Sequence, residues 1–242
     1  KARSPYIAFL DSDDQYKKDR FQFTKQVFYQ YPEASGVHEM IGVRYYNANL
    51  KDKHVARVKW EETGIRKKVN PYDLFRTLAT GKFGHIHLNG LTVKRNVLTN
   101  YKFDETLFQS EDSDLIYQLA ANEIILPGKP EGTVALRGVH ENNSVFTSDV
   151  VVTSRRRCLR KCIENAFYGS VDSAANMYIV VRYLKTFRPL SEVSNKYLLA
   201  MMMNQTQKHI LQHLHFDYQP GLRFVDLCYC RQILTFFRTQ QH

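Results

Sequence analysis

The sequence predicts an α/β region followed by an α-helical tail, and three observations carry that reading. The apolar run Tyr6-Ile7-Ala8-Phe9-Leu10 leads straight into Asp11-Ser12-Asp13-Asp14, as a strand buried on both faces would that ends in a polar turn. Strand-like runs then alternate with stretches of helical period up to about residue 148. From Val150 onward only helical periodicity remains. The expected division is an α/β region over 1–148 and a helical extension over 149–242.

Each element has its own local signal. Asp19 can cap a helix over 20–31, ended by Pro32, with Phe21, Thr24, Phe28 and Tyr31 near one face. Val37 to Tyr46 reads as a strand. Residues 47–63 carry mixed charge and little periodicity, apart from a short strand expected over 55–60. Asn70-Pro71 starts a helix with Pro in its first turn, and Gly81 stops it. Phe83 to Val93 alternates enough for one or two strands. Ser110 can cap a helix over 111–122, packed through Leu115, Ile116 and Leu119, and short strands follow over 124–126 and 133–136. In the tail, Leu159, Cys162, Ile163, Ala166 and Phe167 share a helical face, as do Ala174, Met177, Tyr178 and Val181. Further helices are expected after Ser191 and over 220–238.

Composition narrows the class. An apolar fraction of 43% describes a globular chain and excludes an intrinsically disordered one. The longest apolar run of the tail, Tyr197 to Met203, is too short to cross a bilayer. No apolar segment of a secretory signal precedes the first strand, so a cytoplasmic location is expected. The 4 cysteines lack the knuckle spacing of a zinc site, and reduced thiols are expected. A net charge of +10 favours anionic partners without choosing among nucleic acid, a membrane surface and phosphorylated small molecules. No RNA-binding motif, zinc finger or basic-aromatic interleaving supports nucleic acid, and none is expected as partner.

Three clusters carry chemistry. Asp11, Asp13 and Asp14 put like charges on one turn, which suits either a hard divalent cation or capping of the next helix. Glu111, Asp112 and Asp114 open a helix, where acidic residues complement the dipole and stay ionised as a general base must. Arg137 to Ser144 leaves a strand and sets His140 in a polar loop, a place where a histidine is either solvated or a ligand. His85 and His87 share one strand face, as a metal pair, an acceptor-side contact or simply a polar face. Arg155, Arg156, Arg157, Arg160 and Lys161 form a basic cluster, either solvated or facing an anionic surface such as phospholipid. Met201 to Met203 and Phe236-Phe237 read as packing residues or a partner surface.

In this order the clusters resemble the family 2 glycosyltransferases of the GT-A fold. The likeness is carried by Ser4 to Asp14, Gly90-Leu91-Thr92-Val93-Lys94-Arg95, Phe103-Asp104-Glu105 with Glu111 to Leu115, and His140 to Ser144. It spans residues 4–145 and implies a partial GT-A-like mixed sheet with flanking helices. It implies that Asp13 coordinates Mn²⁺ or Mg²⁺ on the donor diphosphate and that Asp11 contacts ribose or metal. It also implies that Asp112 is the base that deprotonates an acceptor hydroxyl, giving single displacement with inversion. Glu111 would orient the base or touch the acceptor, and His140 would be a further metal or diphosphate contact. Asp14, Gly90, Arg137 and Ser144 are secondary candidates. The implied partners are a nucleotide-sugar donor, UDP-linked, and a glycan or lipid-linked acceptor, with peripheral contact at the inner face of a membrane.

The family places a nucleotide-base-binding half before the acidic motif, whereas 10 residues precede Asp11. The expectation is a fragment of a longer protein. The reading this leaves is an inverting, metal-assisted glycosyltransferase. The alternative is a non-catalytic binding or scaffold module of similar fold, acting in assembly or at a membrane surface.

Overall fold

A computed structural model describes residues 3–58, 61–81, 83–129, 131–141 and 148–164, together with Ala175, Ile179, Arg182, Tyr183 and Thr186. The chain divides into two compact units, residues 1–154 and 155–242. The first is a mixed α/β unit with two mixed sheets and flanking helices. In order it runs β1 (Tyr6–Ala8), β2 (Gln15–Tyr16), α1 (Gln22–Gln30), β3 (Gly36–His38), β4 (Ile41–Tyr45), α2 (Ala48–Val58), β5 (Glu62–Thr63), α3 (Leu74–Thr80), β6 (Leu91–Lys94), α4 (Glu111–Asn122), β7 (Ile125–Pro127) and β8 (Ala135–Val139). The last helix, α5 (Ser148–Glu164), runs across the division.

One sheet has the order β1-β6-β3-β7 and the other β2-β8-β4-β5. In the first, β6 is antiparallel to β1 and to β3, while β3 and β7 are parallel. In the second, β8 is parallel to β4 and antiparallel to β2. Three times the chain leaves the first sheet and enters the second: from β1 to β2, from β3 to β4, and from β7 to β8. The acidic turn at Asp11 is the first of these crossings. Val37, Leu91, Val93 and Ile125 of one sheet and Ile41, Ala135 and Val139 of the other are buried, as are Leu74, Phe75 and Leu78 of α3 and Leu115, Ile116 and Leu119 of α4. These last six cover a helix–helix contact in which the Phe75 and Tyr117 rings meet edge to face at 6.0 Å.

A buried ion pair closes the seam between the sheets. Arg20 is 1% exposed and its Nη1 donates to Glu39 Oε2, which also accepts from Thr24 Oγ1 at 2.7 Å. Arg20 Nε donates to the Asn89 carbonyl at 3.1 Å and Nη2 to Thr92 Oγ1 at 3.2 Å. Glu39 Oε1 accepts from the Lys129 backbone N–H at 3.0 Å. The pair therefore ties the β3–β4 crossing to the β7–β8 crossing and to the turn before β6. Gly90 belongs to the same seam. Its carbonyl accepts from the Glu39 N–H at 2.9 Å, and its backbone lies so close that a Cβ there would run into the Glu39 carbonyl oxygen.

Several sequence expectations are corrected. Tyr6 to Leu10 is not buried on both faces: β1 ends the described order of its sheet, with Tyr6 42% and Leu10 46% exposed. The strand expected over Val37 to Tyr46 is two strands in different sheets, because the chain turns at Glu39 to bring its carboxylate to Arg20. Residues 55–58 end helix α2 and are not strand. Between Phe83 and Val93 only β6 is a full strand, after a bridge at Gly84 and a 3-10 turn over Leu88–Gly90. Asp19 does not cap α1; it accepts from Lys129 Nζ at 2.7 Å. Gly81 does stop α3, in the left-handed region at φ 65.

In the second unit Cys158, Leu159 and Cys162 are buried, as expected of one helical face. Arg156 Nε donates to the Thr186 carbonyl at 3.2 Å, so this member of the basic cluster is engaged within the unit. Ala175, Ile179 and Tyr183, spaced by four, are buried. The expected face at Ala174, Met177, Tyr178 and Val181, Cys228 and Cys230, Met201 to Met203, Phe236-Phe237 and the last two helices lie outside the described residues.

Removing one partner of a buried ion pair strands the other charge. Glu39→Ala should cost about 3–5 kcal/mol in a urea unfolding experiment, whereas Arg20→Met with Glu39→Leu should recover most of it. A loss below about 1 kcal/mol for Glu39→Ala would show that the seam does not depend on the pair.

Candidate functional site

The acidic turn is held by hydrogen bonds from two other elements. Its own geometry is closed by the Asp14 N–H, which donates to the Asp11 carbonyl at 3.1 Å. Asp14 Oδ1 accepts from the Gly138 N–H on β8 at 2.7 Å, and Oδ2 accepts from Asn89 Nδ2. Asp14 thus serves neither as a helix cap nor as an open ligand, since both carboxylate oxygens are engaged. Burial raises its pKa, the Gly138 and Asn89 bonds oppose this, and Asp13 adds to the rise. Gly138 must be glycine for this approach, because a Cβ would meet the Asp13 carbonyl oxygen.

Asp13 pairs with the histidine of the loop after β8: His140 Nε2 lies 2.9 Å from Asp13 Oδ2. Tyr46, at the end of β4, donates its hydroxyl to the Asp13 carbonyl at 3.3 Å and sets its ring edge to face against His140 at 6.1 Å. The parallel β4–β8 pair accounts for this meeting, since Tyr45 and Val139 lie opposite in register just before Tyr46 and His140.

The second acidic cluster opens α4. Ser110 precedes it with φ 67, a left-handed conformation that costs a non-glycine residue of order 1 kcal/mol, and its side chain caps nothing. The strained residue, not a cap, sets the direction in which the helix starts. Asp112 Oδ1 accepts from the Ser113 N–H at 2.6 Å. Burial raises the Glu111 pKa, a backbone hydrogen bond opposes this, and the charges of Asp112 and Asp11 add to the rise. Asp114 faces inward, fully buried, and accepts from Gln118 Nε2 at 2.7 Å, which makes it a core residue.

The two clusters form one field. The Asp11 carboxyl is pushed up by burial, then by Asp14, Asp13 and Asp112, with Arg137 opposing. Arg137, in the middle of β8, also acts on Asp14 and on His54 and His87. Asp11, Asp13, Asp14, Glu111, Asp112, Arg137 and His140 are therefore gathered from the β1–β2 crossing, the start of α4, and β8 with the loop after it. Gly90 is close-packed against Glu39 and has no part in this field, and Ser144 lies outside the described residues. Sequence reading missed Asn89 and Tyr46, whose roles come from contacts 75 and 33 residues away with no local signal. The charges of Arg137, Asp112 and His85 all bear on His87.

The fit to a divalent cation is mixed. Repelling carboxylates, with Asp11 held up by its neighbours, provide the charge that a hard cation neutralises. Among the described residues, however, no three His, Cys, Asp or Glu side chains are gathered as a ligand set. Asp13 and His140 face one another, while Asp14 is occupied by Gly138 and Asn89.

No protein-family model matches the chain, and no curated protein does. Two solved structures are similar in overall path. The crystal structure of S. aureus TarS 1–349 in complex with UDP has a TM-score of 0.47 at 12% identity, over 87% of this chain and 56% of that one. The crystal structure of S. aureus TarS has a TM-score of 0.46 at 13% identity, over 96% of this chain and 38% of that one. The chain spans about half or less of the solved chains it matches, and no residue role is taken from them.

Because the folded pKa of Asp11 is raised above its ordinary value of 3.8, the native state binds that proton more tightly than the unfolded chain does. Its charge therefore opposes folding above the folded pKa and has no effect below about pH 3.8. Asp11→Asn should raise Tm at pH 7 by about 1–3 °C, and the gain should disappear at pH 3, as read by calorimetry. Equal Tm values at pH 7 would show that the carboxylates do not repel.

Proposed function

We propose that this chain carries the diphosphate-binding and acceptor-activating part of an inverting glycosyltransferase that uses a nucleotide-sugar donor. The observation that supports it is the convergence of Asp11 and Asp13 with Glu111-Asp112 and His140, from segments about a hundred residues apart, in one field of mutually repelling carboxylates. Such a field is costly to keep unless a cation or a charged substrate relieves it.

In this reading Asp112 is the base. Its Oδ1 is committed to the Ser113 N–H, which orients the carboxylate and directs Oδ2 to the acceptor hydroxyl, whose proton it takes as that oxygen attacks the anomeric carbon. The adjacent Glu111, with its pKa raised, stands beside the acceptor as a hydrogen-bonding group. Asp13 with Asp11 would hold Mn²⁺ or Mg²⁺, which when bound supplies Lewis-acid stabilisation of the leaving diphosphate. His140 holds the Asp13 carboxylate in place through its Nε2. Arg137 supplies a positive charge that opposes, without reversing, the rise in the Asp11 and Asp14 pKa values. The donor is a nucleoside diphosphate sugar, UDP-linked, and the acceptor a glycan or lipid-linked hydroxyl compound.

In the full-length protein, Asp112→Asn should lower transfer by at least about 10³-fold while UDP affinity, measured by titration calorimetry, changes less than twofold. Retained turnover would remove Asp112 from the role of base.

A further inference from the structure

We propose that His87 is a specificity residue of the same site, donating its Nε2–H to a hydroxyl next to the one that Asp112 activates. The proposal rests on the transferase reading. His87 heads the 3-10 turn Leu88–Gly90, and its Nδ1 accepts from the Asn89 backbone N–H at 3.3 Å. An accepting Nδ1 carries no proton, so in the neutral ring the proton is on Nε2. The ring is neutral at physiological pH: burial first, and then the Arg137 charge, push its pKa down to about 4. Among the described residues no side chain receives the Nε2–H.

The turn that fixes this tautomer is itself fixed. Asn89 is fully buried, its carbonyl receives Arg20 Nε and its side chain holds Asp14. His87 is thus mounted on the seam between the sheets, with Arg137, Asp112 and His85 as the charges that bear on it. A neutral N–H donor near the base cannot usefully bond the attacking oxygen, because it would withdraw the lone pair that attacks. It can bond a vicinal hydroxyl, and in doing so it turns the attacking hydroxyl toward Asp112. The ligand chemistry recognised is a 1,2-diol, as a sugar ring or a polyol presents.

The test uses the full-length protein with UDP- and GDP-sugars and two probe acceptors, ethylene glycol and ethanol, at equal concentration. The readout is the ratio of transfer to the diol over transfer to the mono-ol, corrected for the diol's two hydroxyls. Wild type should favour the diol about five- to tenfold, the worth of one neutral hydrogen bond. His87→Asn keeps an acceptor for the Asn89 N–H but cannot reach the Nε2 position, and its ratio should fall to within twofold of unity. His87→Gln reaches that position with an N–H and should keep the preference. A preference that survives in His87→Asn, or is lost in both variants, assigns His87 to holding the turn and overturns the proposal. Absence of any transfer or donor hydrolysis by wild type would overturn the transferase reading, and this assignment with it.

Discussion

The Arg20–Glu39 pair is the constraint on which the rest of the first unit depends. Two short sheets share no continuous strand, so something must fix one against the other where the chain passes between them. Hydrophobic burial supplies the driving force but is not directional. Arg20 supplies direction, with a planar set of donors reaching Glu39, Thr92 and the Asn89 carbonyl at once. The Tyr16 and Phe21 rings, 5.4 Å and 5.0 Å from its guanidinium carbon, close over it. A charge pair so far from water contributes little net stability compared with apolar residues of equal size, so its value here is geometric.

From that pair a chain of contacts leads to the surface. Arg20 holds Asn89, Asn89 holds Asp14, and Asp14 holds the Gly138 N–H of β8, at whose end His140 meets Asp13. Along this path the groups change from buried and hydrogen-bonded to half-exposed and mutually repelling. A fold selected for stability alone would not place Asp11 where Asp13, Asp14 and Asp112 all raise its pKa. Carboxylates kept in mutual repulsion at the end of a well-fixed seam are the observation on which the proposed transferase reading rests.

Parts of this were legible in the chain. The acidic turn after Tyr6 to Leu10, the helix at Glu111 and the stop at Gly81 depend on residues within a few positions of one another, and local chemistry specified them. The break of Val37 to Tyr46 into two strands was not legible, because the periodicity is unbroken there. At that break Glu39 turns its carboxylate to Arg20, 19 residues earlier. Helix α2 is not legible because its mixed charges obscure the inward face, to which the buried Leu50 and His54 belong. Ser110 reads as a cap by residue type, and only the backbone shows it in the left-handed region.

By itself, then, the sequence determined the residue types and spacing of the candidate site: carboxylates at a strand end, carboxylates at a helix start, a histidine after a late strand. These are short-range properties, encoded where they act. Only the tertiary structure decided which of them meet. It paired Asp13 with His140 across 127 positions, committed Asp14 to structure, and withdrew Asp114 into the core. It also drew His87 into the field of Asp112 and Arg137. The reason is physical: a side chain's charge and hydrogen-bonding capacity are intrinsic, but its pKa and its partners belong to the neighbours that strand register and crossings bring to it.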